Sequence, residues 1–378
     1  MRIVQMTPYW LASTGGPSKY VASLRRELGD RGHHVHVVTP DAGAEGAELV
    51  SGPFPVRDLR AILTLRRLDP DIVHVHGSVR DLFAALVHRL GRPKVRVVFT
   101  FHTQPITRQF LPGLNRRRHD YGVVSAIVAR VLLRKADLIT SVSESIISAH
   151  NDGYDLDIRH YVRIPSGGDP CDTGDRLADA PPASAAEHRG HPVLVSVGVM
   201  AWDWKVLGHL VAVRAVDELR RTYPAVLLLV AGDGPHRAVV EREVAALGLG
   251  QHVRLLGNVS PEPLLSASDI YVHMAMNEGC SLAIIEAMHA AKPIVAANAG
   301  GTPEVLASGE SALLIEPEPH ELAEAVRTLT SDVQYRRKLG ARAREVALER
   351  YTWSVIGEQY EAAYRSLLAH PHGGGPRL

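Results

Sequence analysis

Short β-branched runs separated by stretches of helical spacing recur along the chain, and this alternation restricts the fold more than any other feature. The first half carries Ile3-Val4, His34 to Val38, Ile72 to Val75, Val95 to Phe101 and Leu138-Ile139. Strands buried on both faces of a parallel sheet read as continuous apolar runs, whereas strands with one wet face alternate. The pattern therefore predicts a helix-covered parallel sheet, a Rossmann-like domain over residues 1–170. From Pro170 to Pro192 the rhythm gives way to Pro181-Pro182, small residues, Asp and Gly, which predicts a linker over 171–191. Alternation resumes with Val193 to Val197, Ala225 to Val230, Val253 to Leu256, Ile270 to Val272 and Pro293 to Ala296. A second doubly wound sheet over 192–354 follows, followed by a helix over about Val355 to Leu368 and a Pro/Gly-rich end. Open α/β sheets bind ligands beyond the carboxyl ends of their strands. The active site is expected between the two sheets.

Composition excludes several classes. With 378 residues, 46% hydrophobic and 22% charged, the chain fits about two globular domains. No apolar stretch reaches the roughly 18–20 residues of a membrane helix, and Met1-Arg2-Ile3-Val4 begins a strand, so a cytoplasmic protein is expected. Cys171 and Cys280 stand far apart without Cys-x-x-Cys spacing, which argues against a disulfide framework or a structural zinc site. Residues 1–170 hold 23 Lys and Arg against 16 Asp and Glu, and the remainder 19 against 25. That asymmetry is ordinary surface variation, with weak contact between the basic half and a membrane surface as the alternative. No nucleic-acid partner is expected, and no feature specifies an oligomeric state.

The segment from Asn277 to Met288 carries the most chemistry. Gly279 permits a turn, Ser281 stands where an N-cap belongs, and Leu282 to Ala291 has helical spacing without Gly or Pro. The free N–H groups and partial positive charge at a helix start suit a diphosphate. Helical side chains tilt toward the N-terminus, so Glu286 reaches the region above that anion site, where a ribose fits. Glu278 precedes the helix and suits the hydroxyls of a sugar on the same diphosphate. Two isolated glutamates would read as solvated charges; the context decides otherwise.

That context is Lys292 to Ala296 and then Gly300-Gly301-Thr302-Pro303-Glu304-Val305, which together with Glu278 and Glu286 resembles the Glu-x7-Glu block of retaining glycosyltransferase family 4. Gly232-Asp233-Gly234-Pro235, Leu256-Gly257-Asn258, Gly15-Gly16-Pro17 and Arg31 to Val35 match in the same order. The resemblance spans almost the whole chain. It implies the GT-B fold, two Rossmann-like domains facing across a cleft, with an acceptor-binding first domain and a nucleotide-sugar-binding second. It also implies retention of anomeric configuration, no obligatory metal, no cofactor beyond the donor substrate, and a C-terminal helix returning to the first domain.

The implied donor site comprises Gly15, Gly16, Lys205, Gly232, Asn258, Glu278, Gly279, Cys280, Ser281, Leu282 and Glu286, with His102, Lys205 and Glu278 at the chemistry. Lys205 aligns with the family lysine that neutralises the diphosphate, and His102 with a position near the transferred sugar. The sequence departs from the pattern at Val199, where most relatives have Arg, and at Val206, where Gly usually follows the lysine. Trp202 and Trp204 suit donor or acceptor contact as well as packing.

Other motifs read more plainly. His74 and His76 share a strand face at period two but lack a third ligand, so a core role is favoured over a metal. Asp155-Leu156-Asp157 spells a metal-dependent transferase motif inside a polar turn. Arg116-Arg117-Arg118, after Phe110, Leu111 and Leu114, reads as a solvated loop before it reads as a membrane or anion contact. A Rossmann oxidoreductase would need a third glycine, which Gly232-Asp233-Gly234-Pro235-His236-Arg237 lacks. The expected activity is metal-independent transfer of a sugar from UDP or GDP to a small-molecule acceptor. The alternatives are a lipid or polysaccharide acceptor at a membrane surface, or a noncatalytic nucleotide-sugar-binding protein.

Overall fold

A computed structural model describes residues 1–8, 15–40, 46–105, 123–170 and 191–370. The segment 171–190, which holds most of the expected linker, and the Arg116 to Arg118 loop lie outside these. The described residues fall into two compact units, one holding those of 1–105, 123–167 and 353–370, the other those of 168–352.

Unit 1 runs β1 (Arg2–Met6), α1 (Gly16–Asp30), β2 (His34–Thr39), β3 (Glu48–Leu49), α2 (Val56–Leu68), β4 (Ile72–His76), α3 (Val79–Leu90), β5 (Arg96–Phe101), α4 (Val123–Leu133), β6 (Leu138–Ser141), α5 (Glu144–Tyr154) and β7 (Val162–Arg163). All its pairings are parallel, in the order β3-β2-β1-β4-β5-β6-β7. Every residue of β4 and β5 is buried, as the continuous apolar runs require. Helix α1 buries Val21, Leu24 and Leu28, one stripe at helical spacing.

Unit 2 runs β8 (Val193–Val197), α6 (Asp203–Leu219), β9 (Leu227–Ala231), α7 (Arg237–Ala246), β10 (Val253–Gly257), α8 (Pro261–Ala267), β11 (Ile270–His273), α9 (Leu282–His289), β12 (Ile294–Ala297), α10 (Thr302–Val305), β13 (Leu313–Ile315), α11 (Pro319–Ser331) and α12 (Val333–Arg350). Its parallel sheet has the order β10-β9-β8-β11-β12-β13, which reverses direction between β8 and β11. Leu194, Leu228, Val230, Ile270, Val272 and Val295 of the strands pack with Val206, Val213, Leu322, Val326 and Leu329 of α6 and α11. Each large apolar side chain in such a core contributes about 1.5–3 kcal/mol.

The last helix, α13 (Trp353–Ala369), packs on α1 inside unit 1. It covers a buried polar face of the sheet. Tyr20 Oη donates to Tyr360 Oη at 2.9 Å, and Tyr364 Oη and His74 Nδ1 share a hydrogen bond at 2.7 Å. Thr100 and Thr140 hydroxyls stand 3.3 and 3.4 Å from Tyr360 Oη.

One helix is shorter than its spacing suggests. Helix α9 stops at His289 instead of running to Ala291, because Ala291 adopts a left-handed φ of 52°. Lys292 N–H then reaches the Ala287 carbonyl and Ala291 N–H the Met288 carbonyl, both at 3.0 Å, closing the helix as a Schellman motif. No glycine marks this end in the sequence.

Candidate functional site

The reversal between β8 and β11 opens a crevice at the carboxyl ends of these strands, where a doubly wound sheet places its ligand. Lys205 projects from the first turn of α6, after β8, and Glu278 from the loop joining β11 to α9. Their side chains form an ion pair, Lys205 Nζ to Glu278 Oε1. Gly208 makes the approach possible, since a Cβ there would lie 2.8 Å from the Met274 carbonyl carbon. Burial alone would push the Glu278 carboxyl up, but the Lys205 charge and the His273 imidazole outweigh it and hold it at about 2. Glu278 is therefore a carboxylate at neutral pH. Its backbone carbonyl accepts Gly301 N–H at 2.8 Å, tying the loop to the segment before α10.

Helix α9 begins directly after this loop. Ser281 occupies its N-cap position with extended backbone, yet its hydroxyl makes no capping hydrogen bond, which corrects the expectation of a side-chain cap. Its contribution is the carbonyl, which accepts Ile285 N–H at 3.2 Å. The first-turn N–H groups thus have no hydroxyl acceptor from Ser281, the arrangement an anion needs. Gly279, Cys280 and Ser281 are buried beside it, and Leu282 and Glu286 are half-buried. Glu286 lies near enough to raise the pKa of the buried Tyr271 phenol, an effect that adds to burial and to the charge of Glu278.

Three groups here escaped the sequence reading. His273, at the end of β11, places Nε2 3.5 Å from Glu278 Oε1 and Nδ1 3.1 Å from Tyr271 Oη. Tyr271 lies two residues earlier on the same face. His209, one helical turn beyond Lys205, donates from Nε2 to the Gly198 carbonyl at 3.1 Å, and burial lowers its pKa to about 4. The signals were polar rings at period two inside the apolar run of β11, and a histidine four residues after Lys205.

The other residues named from sequence are more scattered. Gly232 has φ 143°, and a Cβ on it would fall 2.0 Å from the Gly198 oxygen, so it serves the close passage of the β8 and β9 ends. Asn258 is exposed after β10, two strands from β8. Val199 follows Gly198, half-buried, where the resemblance calls for Arg. Trp202 and Trp204 stack with ring centres 5.3 Å apart, Trp204 being the buried member.

In unit 1, Gly15 is the N-cap of α1 and Gly16 its first residue. His102 follows β5, with Nε2 2.8 Å from His76 Nδ1, and burial lowers its pKa to about 3. Both ring nitrogens of His74 are engaged, by Tyr364 Oη and by Thr100 Oγ1 at 2.5 Å, which leaves it no lone pair for a metal. Asp155 and Asp157 are both left-handed turn residues, and Asp157 is gripped by Arg130, Arg134 and Arg159 at 3.1, 2.8 and 2.6 Å. Among the described residues no group of three or more potential ligands suits a metal ion, and no helix is long and apolar enough to cross a membrane.

Known proteins match both units. Residues 14–170 match the family Glycosyltransferase Family 4, and residues 182–346 match Glycosyl transferases group 1. The chain is 26% identical to a phosphatidyl-myo-inositol mannosyltransferase of Mycolicibacterium smegmatis over 97% of its own length and 94% of the relative's. It is 25% identical to an N-acetyl-alpha-D-glucosaminyl L-malate synthase of Bacillus anthracis, over 96% and 97%. Among solved structures, Anabaena HepE in complex with UDP superposes with a TM-score of 0.75 at 20% identity, covering 97% of this chain and all of that one. Matches to both units, relatives aligned end to end and a shared fold agree: the chain belongs to glycosyltransferase family 4, and its two Rossmann-like units are those of the GT-B fold.

Proposed function

We propose that this glycosyltransferase takes its sugar from a nucleoside-diphosphate donor, UDP- or GDP-linked, and passes it with retention to a small-molecule acceptor. The observation that carries the reading is the Lys205–Glu278 pair beside the uncapped start of α9. A nucleoside diphosphate leaves readily once its growing charge is stabilised, so fixed cations and N–H dipoles matter more than a strong acid. Lys205 and the α9 N-terminus supply both, and no metal is required in this scheme. Glu278 accepts hydrogen bonds from sugar hydroxyls and Glu286 from the ribose. Gly15, Gly16 and His102 of unit 1 keep the roles that the resemblance implies. Retention follows from attack on the face the diphosphate leaves, with the departing phosphate taking the acceptor's proton.

The UDP in the HepE crystal supports the donor class. For the acceptor, the relatives' names print both a lipid, phosphatidyl-myo-inositol, and a small acid, L-malate. The test is calorimetric and analytical. UDP or GDP raises the melting temperature, because a ligand bound only by the folded state stabilises it. Mass spectrometry then finds a glycosylated product from a soluble polyol or hydroxy acid. No shift with either nucleotide removes the donor site; product formed only on phosphoinositide vesicles moves the acceptor to the membrane.

A further inference from the structure

Glu278 is held by its main chain and by its side chain through different partners. Gly301 N–H fixes the backbone carbonyl, while the Oε1 oxygen faces Lys205 Nζ and, at 3.5 Å, His273 Nε2. A Lys205 that neutralises the diphosphate, as proposed above, shares its charge between the bound donor and Glu278. A largely buried carboxylate is destabilised when a charged partner turns away from it. His273 is the group already in place to keep it.

Hydrogen-bond logic fixes the direction of the contact. An ionised carboxylate only accepts, so a hydrogen bond across this 3.5 Å separation needs its hydrogen on His273 Nε2. In a neutral imidazole Nδ1 is then an acceptor, and Tyr271 Oη stands 3.1 Å from it with one hydrogen to give. Tyr271 is fully buried and lies near the negative charges of Glu278 and Glu286, so it stays a phenol. We propose that Tyr271 and His273 form a directional relay, Tyr271 O–H to His273 Nδ1 and His273 Nε2–H to Glu278 Oε1, that positions Glu278 to read the donor sugar.

The relay rests on the proposed role of Glu278 and assigns two positioning residues to it. While Lys205 shares Oε1 the contact is long, and it shortens when the bound diphosphate takes a share of the Lys205 charge, as contacts at reactive sites tighten in the loaded state. With Oε1 tied to His273, Oε2 faces the sugar hydroxyls in one orientation. The nucleotide end is untouched, because none of the three groups is assigned to base, ribose or diphosphate.

The test uses His273→Leu, His273→Gln and Tyr271→Phe in the full chain. His273→Leu lowers kcat/KM for the nucleotide sugar by about 10–100-fold and changes UDP affinity by less than about 3-fold. His273→Gln, whose amide N–H stands near Nε2, returns to within about 5-fold of wild type, and Tyr271→Phe falls between the two. Unchanged kcat/KM in His273→Leu, a parallel loss of UDP affinity, or a Gln variant as poor as Leu overturns the relay. Nitrogen NMR of histidine-labelled protein, with the His273 signal identified by its loss in the variants, supplies a readout independent of turnover. The neutral Nε2–H form supports the relay, and the Nδ1–H form overturns it. Should the wild type consume no nucleotide sugar, the proposed donor fails, yet the tautomer still decides the hydrogen-bond assignment.

Discussion

The two sheets share the strand order 3-2-1-4-5-6 in their own numbering, yet the carboxyl ends at their reversal points carry opposite chemistry. In unit 1 the end of β4 and the residue after β5 present His76, buried, and His102, half-buried, rings kept neutral by desolvation, above a layer of hydroxyls. At the corresponding place in unit 2, beside β8 and β11, stands a charged pair, Lys205 with Glu278, next to a helix start. Topology chooses where a ligand sits; the residues at that place choose whether it meets charge or neutral donors and acceptors. The charged end suits a diphosphate whose charge grows during reaction, and the neutral end suits hydrogen bonds to a hydroxyl group.

The sharpest way to break this contrast is Lys205→Ala. Its loss lowers turnover at saturating donor by on the order of 100-fold or more, because the stabilised charge exists mainly in the transition state. Near-normal turnover in steady-state kinetics would erase the distinction between the two ends.

Acid acts on both units, since His209 of unit 2 and His150 of unit 1 are each lowered to about 4 by burial. His150, packed on Phe101 in unit 1, has its pKa lowered by burial to about 4, below the ordinary value of 6.5. A depressed folded-state pKa gives stability that is complete above pH 6.5 and lost as pH falls toward 4. Glu278 follows the same rule in a lower window, from 4.5 down to about 2. Melting curves therefore show a loss between pH 6.5 and 4 that His150→Phe reduces by on the order of 1–3 kcal/mol. An unchanged pH slope in that variant means the imidazole is not held neutral by burial.

Glu286→Ala gives a smaller and different effect, a rise in donor KM of about 10-fold with little change in kcat, since ribose hydroxyls keep their charge through the reaction. A fall in kcat of the Lys205→Ala kind would place Glu286 at the bond being broken. The smallest expected change comes from chelation: EDTA leaves turnover within about 2-fold, the Lys205 ammonium and the α9 dipole acting as the charge partners. Abolition by EDTA and rescue by manganese would assign that task to a metal.

The sequence made the sheets legible because burial on both faces leaves no polar alternation, as in Val95 to Phe101. Glu278, Glu286 and Lys205 were legible through the dense block around them. His273 and Tyr271 were not, since aromatic rings within a buried strand look like core until the loop after β11 folds Glu278 back onto them. The end of α9 was hidden for a related reason: Ala291 takes a conformation usually signalled by glycine, and nothing local announces it. The polar layer beneath α13 rests on partners 220 to 340 residues apart, a separation no local pattern records.

That separation sets an order of events during synthesis. Tyr20, His74 and Thr100 leave the ribosome well before Tyr360 and Tyr364, which complete their hydrogen bonds. Unit 1 is begun before unit 2 and completed after it, and until α13 arrives the hydroxyls and imidazoles beneath that helix lack these partners. The later domain closes within Gly168–Thr352, whose β-strands and helices are continuous in sequence, and so matures first. A nascent chain can therefore carry the charged crevice of unit 2 in folded form while its neutral counterpart in unit 1 waits on α13.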